Sequence, residues 1–251
     1  MKQIIVFILS VVLVSNIAVF GQENNIKTAN DLYASGKFED AAKMYEQLIQ
    51  NEGISPEIYY NLGNAYYKLN ETGLSILNYE RALRLKPNYS DALNNLQFAQ
   101  AKVVDNVVAI PPFFLVRWLD LLIKVMNSNQ WFFVSVLVFI LGLLAVMFFI
   151  YGSSHYVRKT SFYVAVILVS MAAVSLLFAG IRKADLTTHN NAIIMAGSVT
   201  IKSSPDKSGT DLFQLHEGTK VSIKSKLGDW SEIELGNGNI GWVKSSNIEE
   251  I

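Results

Sequence analysis

The chain is predicted to be multidomain, with an all-α repeat solenoid, a two-helix transmembrane hairpin and a small all-β barrel in that order. Three observations carry this. Two charge-free apolar runs, Trp131–Tyr151 and Ser161–Ile181, lie close together in the chain. Ahead of them, a pattern of aromatic and small residues recurs at a shift of 34 positions. Behind them, the apolar residues fall into short runs divided by Gly, Asn, Asp, Ser and Pro. The two spans set the class, because each has the length of about 20 residues that a helix needs to cross about 30 Å of hydrocarbon at about 1.5 Å per residue.

The amino terminus opens with one lysine within Met1–Gln3 and continues as a nearly unbroken apolar run, Ile4–Phe20, followed by polar Gly21-Gln22-Glu23. A short basic segment, an apolar segment and small residues at Val19 and Gly21 read as an export signal over 1–21. An uncleaved anchor helix is the other reading, since the run is nearly long enough to span. Both place Gln22 onward outside the cytoplasm.

The segment 22–100 carries the repeats. Shifting by 34 residues brings Leu32 onto Tyr66, Ala41 onto Ser75, Tyr45 onto Tyr79 and Leu48 onto Ala82. The better-formed unit, Pro56–Tyr89, holds Tyr59, Leu62-Gly63, Tyr66, Ser75, Tyr79, Ala82 and Pro87. Leu62, Tyr66 and Leu69 make one face of a first helix, and Ile76, Tyr79 and Leu83 one face of a second. Gly63, Ser75 and Ala82 let the two approach, and Pro87 ends the second. This unit resembles the tetratricopeptide repeat. Gln22–Ser55 is a weaker copy, with Thr28-Ala29 in place of Leu-Gly and Gly53 in place of Pro. Ser90–Gln100 begins a third helix with Leu93 and Leu96, which caps the stack because a repeat cannot bury its face alone.

The resemblance implies a concave surface that grips a peptide or protein. Its inward positions are Asn30 in the first unit, Tyr60, Asn64, Tyr67 and Lys68 in the second, and Asn94 and Phe98 in the cap. Tetratricopeptide domains that clamp a terminal carboxylate surround Asn with cations. Here Ile26 and Phe98 stand at those places, which argues against such a clamp. For Asn64, solvation or capping of the helix stands beside a contact role. Tyr66 and Tyr79 belong to the core.

The linker 101–130 contains Pro111-Pro112 and then an apolar stretch, Phe113–Met126, in which Arg117, Asp120 and Lys124 recur at three and four residues. That spacing predicts an amphipathic helix lying in the membrane interface. A third transmembrane helix would carry three ionisable groups at about 2.5–3.5 kcal/mol per central charge. The spans 131–151 and 161–181 are joined by the loop 152–160, which carries Arg158 and Lys159 and no acid, as a cytoplasmic loop should. Arg182 and Lys183 directly after the second span leave charge counting alone undecided, and the export signal places the loop in the cytoplasm. Neither span holds an ionisable residue, which disfavours a pump or proton relay. Gly142, Ala172, Ala173 and Ala179 are the candidates for close helix contact.

The segment 189–251 offers strand candidates at Ala192–Met195, Val199–Lys202, Lys220–Lys224, Trp230–Leu235 and Gly241–Lys244. Its ordered motifs are Val199–Asp206, Glu217-Gly218-Thr219, Gly228-Asp229-Trp230 and Gly241-Trp242-Val243. In that order they resemble the bacterial SH3 domain, an SH3-like barrel, with Lys202 where that family usually has Arg. Trp230 and Trp242 are candidate binding groups for peptide or cell-wall material. Closure of the small barrel by at least one of them is the other reading.

Chemistry of other kinds is missing from the pattern. The repeat segment carries 7 basic and 10 acidic residues and the β segment 6 and 8, so neither has the clustered cations that nucleic acid requires. There is no cysteine. His155, His189 and His216 are scattered, without metal-ligand spacing or an obvious Ser or carboxylate partner in the sequence. No phosphate-cradling Gly-rich loop occurs between strand and helix. The expectation is a binding protein, not an enzyme, with no cofactor and no metal.

The order of signal, tetratricopeptide repeats, paired membrane helices and bacterial SH3 domain resembles the BatE-type family of aerotolerance-operon proteins. The resemblance implies an envelope scaffold in the inner (cytoplasmic) membrane with both soluble domains on the periplasmic side. The partners it implies are von Willebrand A-type Bat membrane proteins and a MoxR-type ATPase, beside membrane lipid and peptidoglycan. A cell-wall-binding or sensing receptor, with the SH3-like module as primary site, is the competing expectation.

Overall fold

A computed structural model describes residues 25–251 except 106, 108, 109, 112 and 189. The predicted export signal lies outside the described residues. The chain divides into two compact units: one combines the residues before and including Ile110 with Asn190–Ile251, and the other is Pro111–His189.

Among the described residues, the first unit opens with five helices: α1 at 25–34, α2 (Phe38–Glu52), α3 (Pro56–Lys68), α4 (Thr72–Leu85) and α5 (Ser90–Gln100). Local chemistry sets their ends. Ser55 caps α3, its hydroxyl accepting from the Glu57 N–H at 3.2 Å with Pro56 at the first helical position. Both turns inside the repeats need a left-handed residue. The first copy uses Gly36 (φ 78°) and the second, 34 residues on, uses Asn70 (φ 63°). The repeat also holds in the core, where Ala41, Tyr45 and Leu48 are buried like their counterparts Ser75, Tyr79 and Ala82. A Cβ on Gly63 would stand 2.7 Å from the Tyr79 ring, so the small residue sets the approach of α3 to α4.

The same unit ends in a seven-stranded antiparallel sheet: β1 (Asn191–Ile194), β2 (Ser198–Lys202), β3 (Asp211–His216), β4 (Lys220–Leu227), β5 (Trp230–Glu234), β6 (Ile240–Lys244) and β7 (Ile248–Glu250). The spatial order is β3-β2-β6-β5-β4-β1-β7. Every strand sends a side chain to one core: Ala192 and Ile194, Ile201, Leu215, Val221, Ile233, Val243 and Ile248. Strands at both ends of the sheet reach that core, so the sheet curls on itself as an SH3-like barrel does. Two strands, β3 and β7, were not among the five expected. In β3 only Leu215 is fully buried, and β7 is three residues long with two acids, so neither shows a readable alternation.

The helices and the barrel share a second core. Ile76, Leu77, Tyr79, Leu96 and Ala99 of the helices pack with Ile193 and Ile251 of the barrel. This explains the burial of three consecutive residues in β1: Ala192 and Ile194 face the barrel interior, and Ile193 faces the helices. Polar contacts surround this core. Glu217 accepts from the Gly73 N–H at 2.6 Å, Lys220 pairs with Glu80 at 2.7 Å, and Arg81 pairs with Glu249 at 3.1 Å. Arg81 also donates to the Glu250 carbonyl at 2.7 Å, and Arg84 donates to the main-chain oxygen of Ile251. Part of the expected linker belongs here too. Asp105 accepts from the His216 N–H at 2.6 Å and from Thr219 Oγ1 at 2.5 Å, and lies 2.7 Å from His216 Nδ1. Burial opposes ionisation of Asp105, but the hydrogen bonds from Thr219 and His216 outweigh it and hold the carboxyl below its ordinary range.

The second unit holds α6 (Phe114–Lys124), α7 (Ser128–Tyr151) and α8 (His155–Thr187). The last two are long and apolar enough to cross a membrane. The second starts at His155, not at Ser161, because Ser154 caps it by accepting from the Tyr156 N–H; the connection is Gly152, Ser153 and Ser154 alone. The two helices pack along small residues at heptad spacing. Ser128 Oγ donates to the Ala179 carbonyl and Ser135 Oγ to the Ala172 carbonyl, both at 2.9 Å. Gly142 faces Val169 and Leu168, and Ala145, Ala165 and Ser175 complete the buried seam. Ala173, expected at this contact, is exposed, one residue out of register with Ala172. Among the described residues of α6 none is buried: Phe114 and Trp118 are exposed, and Lys124 pairs with Asp120 at 2.8 Å.

Candidate protein-binding groove and barrel face

One face of the repeats is built round a ladder of hydrogen bonds with the period of the sequence. Tyr45 of α2 donates its hydroxyl to Asn30 Oδ1 on α1 at 2.6 Å, and Asn61 of α3 donates to the same oxygen at 3.2 Å. One repeat later, Tyr79 of α4 donates to Asn64 Oδ1 on α3 at 2.7 Å, and Asn95 of α5 donates to it at 2.8 Å. Each rung ties two helices of one unit to the first helix of the next. Burial pushes the Tyr45 hydroxyl up to about 12 and raises that of Tyr79 as well, so both remain protonated donors. Asn30 and Asn64 therefore have a structural task whatever else they contact.

Asn64, Tyr67 and Lys68 line a cavity of about 210 Å³ together with Tyr33, Tyr79, Asn95 and Phe98. Tyr60 sits beside it, its ring centroid 5.0 Å from that of Tyr89 and 6.1 Å from that of Tyr79, with its hydroxyl accepting from Asn95 at 3.3 Å. Lys102 Nζ stands 3.9 Å from the Tyr67 ring centroid. Asn94 is exposed and is not among the cavity residues; its neighbour Asn95 takes the inward position. The 34-residue shift contains the signal for this, since Asn61 maps to Asn95, while Asn30 and Asn64 map on to Phe98. The ladder ends there: Phe98 is 65% exposed and presents a bare ring where a third Asn would continue the stack.

Trp230 and Trp242 are both half-buried, and neither belongs to the barrel core. Alternation settles their side. Ser231, Ile233 and Val243 point inward, so Trp230 and Trp242 lie on the outer face of β5 and β6. Register places Trp242 opposite Glu232 and Lys202, and Trp230 opposite Lys244 and Leu227. Two aromatic rings flanked by both signs of charge form a surface suited to a polar chain with planar or apolar groups.

Among the described residues no group of three or more His, Cys, Asp and Glu is arranged to hold a metal ion. Residues 26–90 match the tetratricopeptide repeat family, and residues 197–249 match the bacterial SH3 domain family. No curated protein matches the chain. The chain therefore carries two modules of binding type, one helical and one β, joined by a shared core.

Proposed function

We propose that this chain is a membrane-anchored scaffold of the bacterial cell envelope, which holds a partner protein in its repeat groove and a second ligand on its SH3-like face. The observation that carries the reading is the open cavity of about 210 Å³ beside the ladder, lined wholly by repeat residues although the barrel is docked on the same helices. Aromatic rings and an exposed Phe98 beside Lys68 and Asn95 provide the mixed apolar and hydrogen-bonding lining that protein recognition uses.

Connectivity supports the anchoring. The chain before the hairpin and the chain after it contribute to one folded unit, and a unit on one side of a bilayer requires an even number of crossings between its parts. Two apolar helices with a small-residue seam meet that requirement, with α6 lying in the interface. With the export signal, the unit faces the periplasm from the inner membrane. The domain order supports a place in a Bat-type stress-tolerance complex, with von Willebrand A-type membrane proteins and a MoxR-type ATPase as the partners to seek.

The test is crosslinking and affinity capture from native membranes, comparing the intact chain with Tyr67→Ala/Phe98→Ala, which spares the ladder. Loss of a von Willebrand A-type protein from the captured set supports the reading. Its retention, or its absence from both sets, refutes it. The outer-face tryptophans favour a second reading, a wall-binding receptor. Co-sedimentation of the intact chain with purified peptidoglycan, abolished by Trp230→Ala/Trp242→Ala, would make that the primary function.

A further inference from the structure

The lining of the groove cavity contains no acid, and its one charged residue is Lys68. A second cation joins it: Lys102 holds its Nζ 3.9 Å from the centroid of the Tyr67 ring, which lines the same cavity. Neither ammonium has an ion-pair partner among the described residues. The segment 22–100 as a whole carries 7 basic and 10 acidic residues, so this local excess of positive charge runs against its composition. Both lysines are exposed and reachable by a ligand.

The ladder fixes which way the cavity amides face. Asn64 Oδ1 accepts from the Tyr79 hydroxyl at 2.7 Å and from Asn95 Nδ2 at 2.8 Å, and the reverse orientation would set the Asn64 NH2 group against that of Asn95. Asn95 Nδ2 also donates to the Tyr60 hydroxyl. Asn64 Nδ2 is thus left as a donor and Asn95 Oδ1 as an acceptor, and neither is among the buried unsatisfied atoms of the described residues, so both face solvent. An extended main chain offers both a carbonyl and an N–H to such a pair, and only an acid answers the two cations. The cavity, at about 210 Å³, is smaller than the roughly 300–1,000 Å³ of small-molecule pockets and suits side chains of a polypeptide. We propose that the groove takes an internal acidic segment of its partner protein, with an aspartate or glutamate side chain on Lys68 and Lys102 and an apolar neighbour on the exposed ring of Phe98. The segment is internal because Ile26 and Phe98 stand where cations would surround a terminal carboxylate. This inference rests on the reading of the groove as a protein-binding site.

The test uses the full chain in nanodiscs and a library of random octapeptides displayed with both ends fused to a carrier, so that no terminal carboxylate is present. Peptides retained by the intact chain and lost with Tyr67→Ala/Phe98→Ala are the groove-dependent ones, and their affinities are measured as capped synthetic peptides. They should carry Asp or Glu. Binding should weaken about threefold with Lys68→Gln and about tenfold with Lys68→Gln/Lys102→Gln, the order expected for exposed charge pairs. Lys68→Glu/Lys102→Glu should select basic peptides instead, which a merely structural role of the lysines would not produce. Groove-dependent peptides that are neutral or basic, or acidic ones indifferent to Lys68→Gln/Lys102→Gln, overturn the acidic assignment and leave the groove reading standing. A library without any groove-dependent peptide overturns both.

Discussion

Ile193→Ala should loosen the helical repeats and the barrel together, although the residue belongs to the barrel. Ile193 is 0% exposed and packs with Ile76, Leu77 and Tyr79, on the face of β1 turned away from the barrel interior. The substitution removes three side-chain carbons at about 0.8 kcal/mol each, near ~2.4 kcal/mol of transfer free energy. The space left behind raises the cost within the ~2–5 kcal/mol seen for such truncations, so about 3 kcal/mol is expected. Hydrogen exchange of the intact chain in nanodiscs resolves this by segment. An equilibrium change of about 3 kcal/mol corresponds to roughly 100-fold faster exchange in those amides that open with the whole unit. The acceleration should appear in α4 and α5 as well as in β1, β4 and β7. Acceleration confined to the strands, with α4 and α5 unchanged, would refute the shared core and leave two separately folded modules.

Three further outcomes follow from the same geometry. Asn64→Ala strands the Tyr79 hydroxyl and an Asn95 N–H, at about 1–3 kcal/mol in chemical denaturation, and Asn64→Ala combined with Tyr79→Phe should cost less than the sum of the two; strict additivity would remove the ladder from the account. Asp105 is held below its ordinary value of 3.8, so its stabilisation is fully present above that value and is lost as pH falls through the folded value; acid titration followed by exchange at His216 and Thr219 should show loosening below about pH 4 that Asp105→Asn lacks. Gly142→Val places a Cβ 3.3 Å from Val169 Cγ2 and should splay the hairpin, reducing crosslinking between cysteines introduced at positions 135 and 172, whereas Gly180→Val, in open space, should not.

The period of 34 was legible because the same contact is built twice. Gly36 and Asn70 turn the chain, Ala41 and Ser75 pack, and Tyr45 and Tyr79 reach back to Asn30 and Asn64. The two apolar helices were legible from composition, but their seam was not, because Ala172 and Ala173 are alike in sequence and only one faces α7. Asn94 and Asn95 pose the same problem at the groove: adjacent identical residues carry no phase, and only the strict shift from Asn61 selects the second. The barrel strands with clear alternation were readable, whereas β3 and β7 take their form from their neighbours. Docking of the barrel on α4 was the least legible feature. Ile193 and Ile251 look like ordinary barrel residues, and Glu217, Lys220 and Glu249 like solvated charges, until their partners at Gly73, Glu80 and Arg81 are brought beside them.

The measurement that tests the central claim most directly is a designed disulfide across the joint. The chain has no cysteine, so Gly73→Cys/Glu217→Cys introduces a single pair. A Cβ at position 73 would lie 2.8 Å from Glu217 Cγ, close to where the partner sulfur must sit in a disulfide. In oxidised native membranes, peptide mapping should find the two positions linked within one chain. Two thiols that both remain open to alkylation would contradict the single folded unit, and with it the argument that both flanks of the hairpin share one side of the membrane.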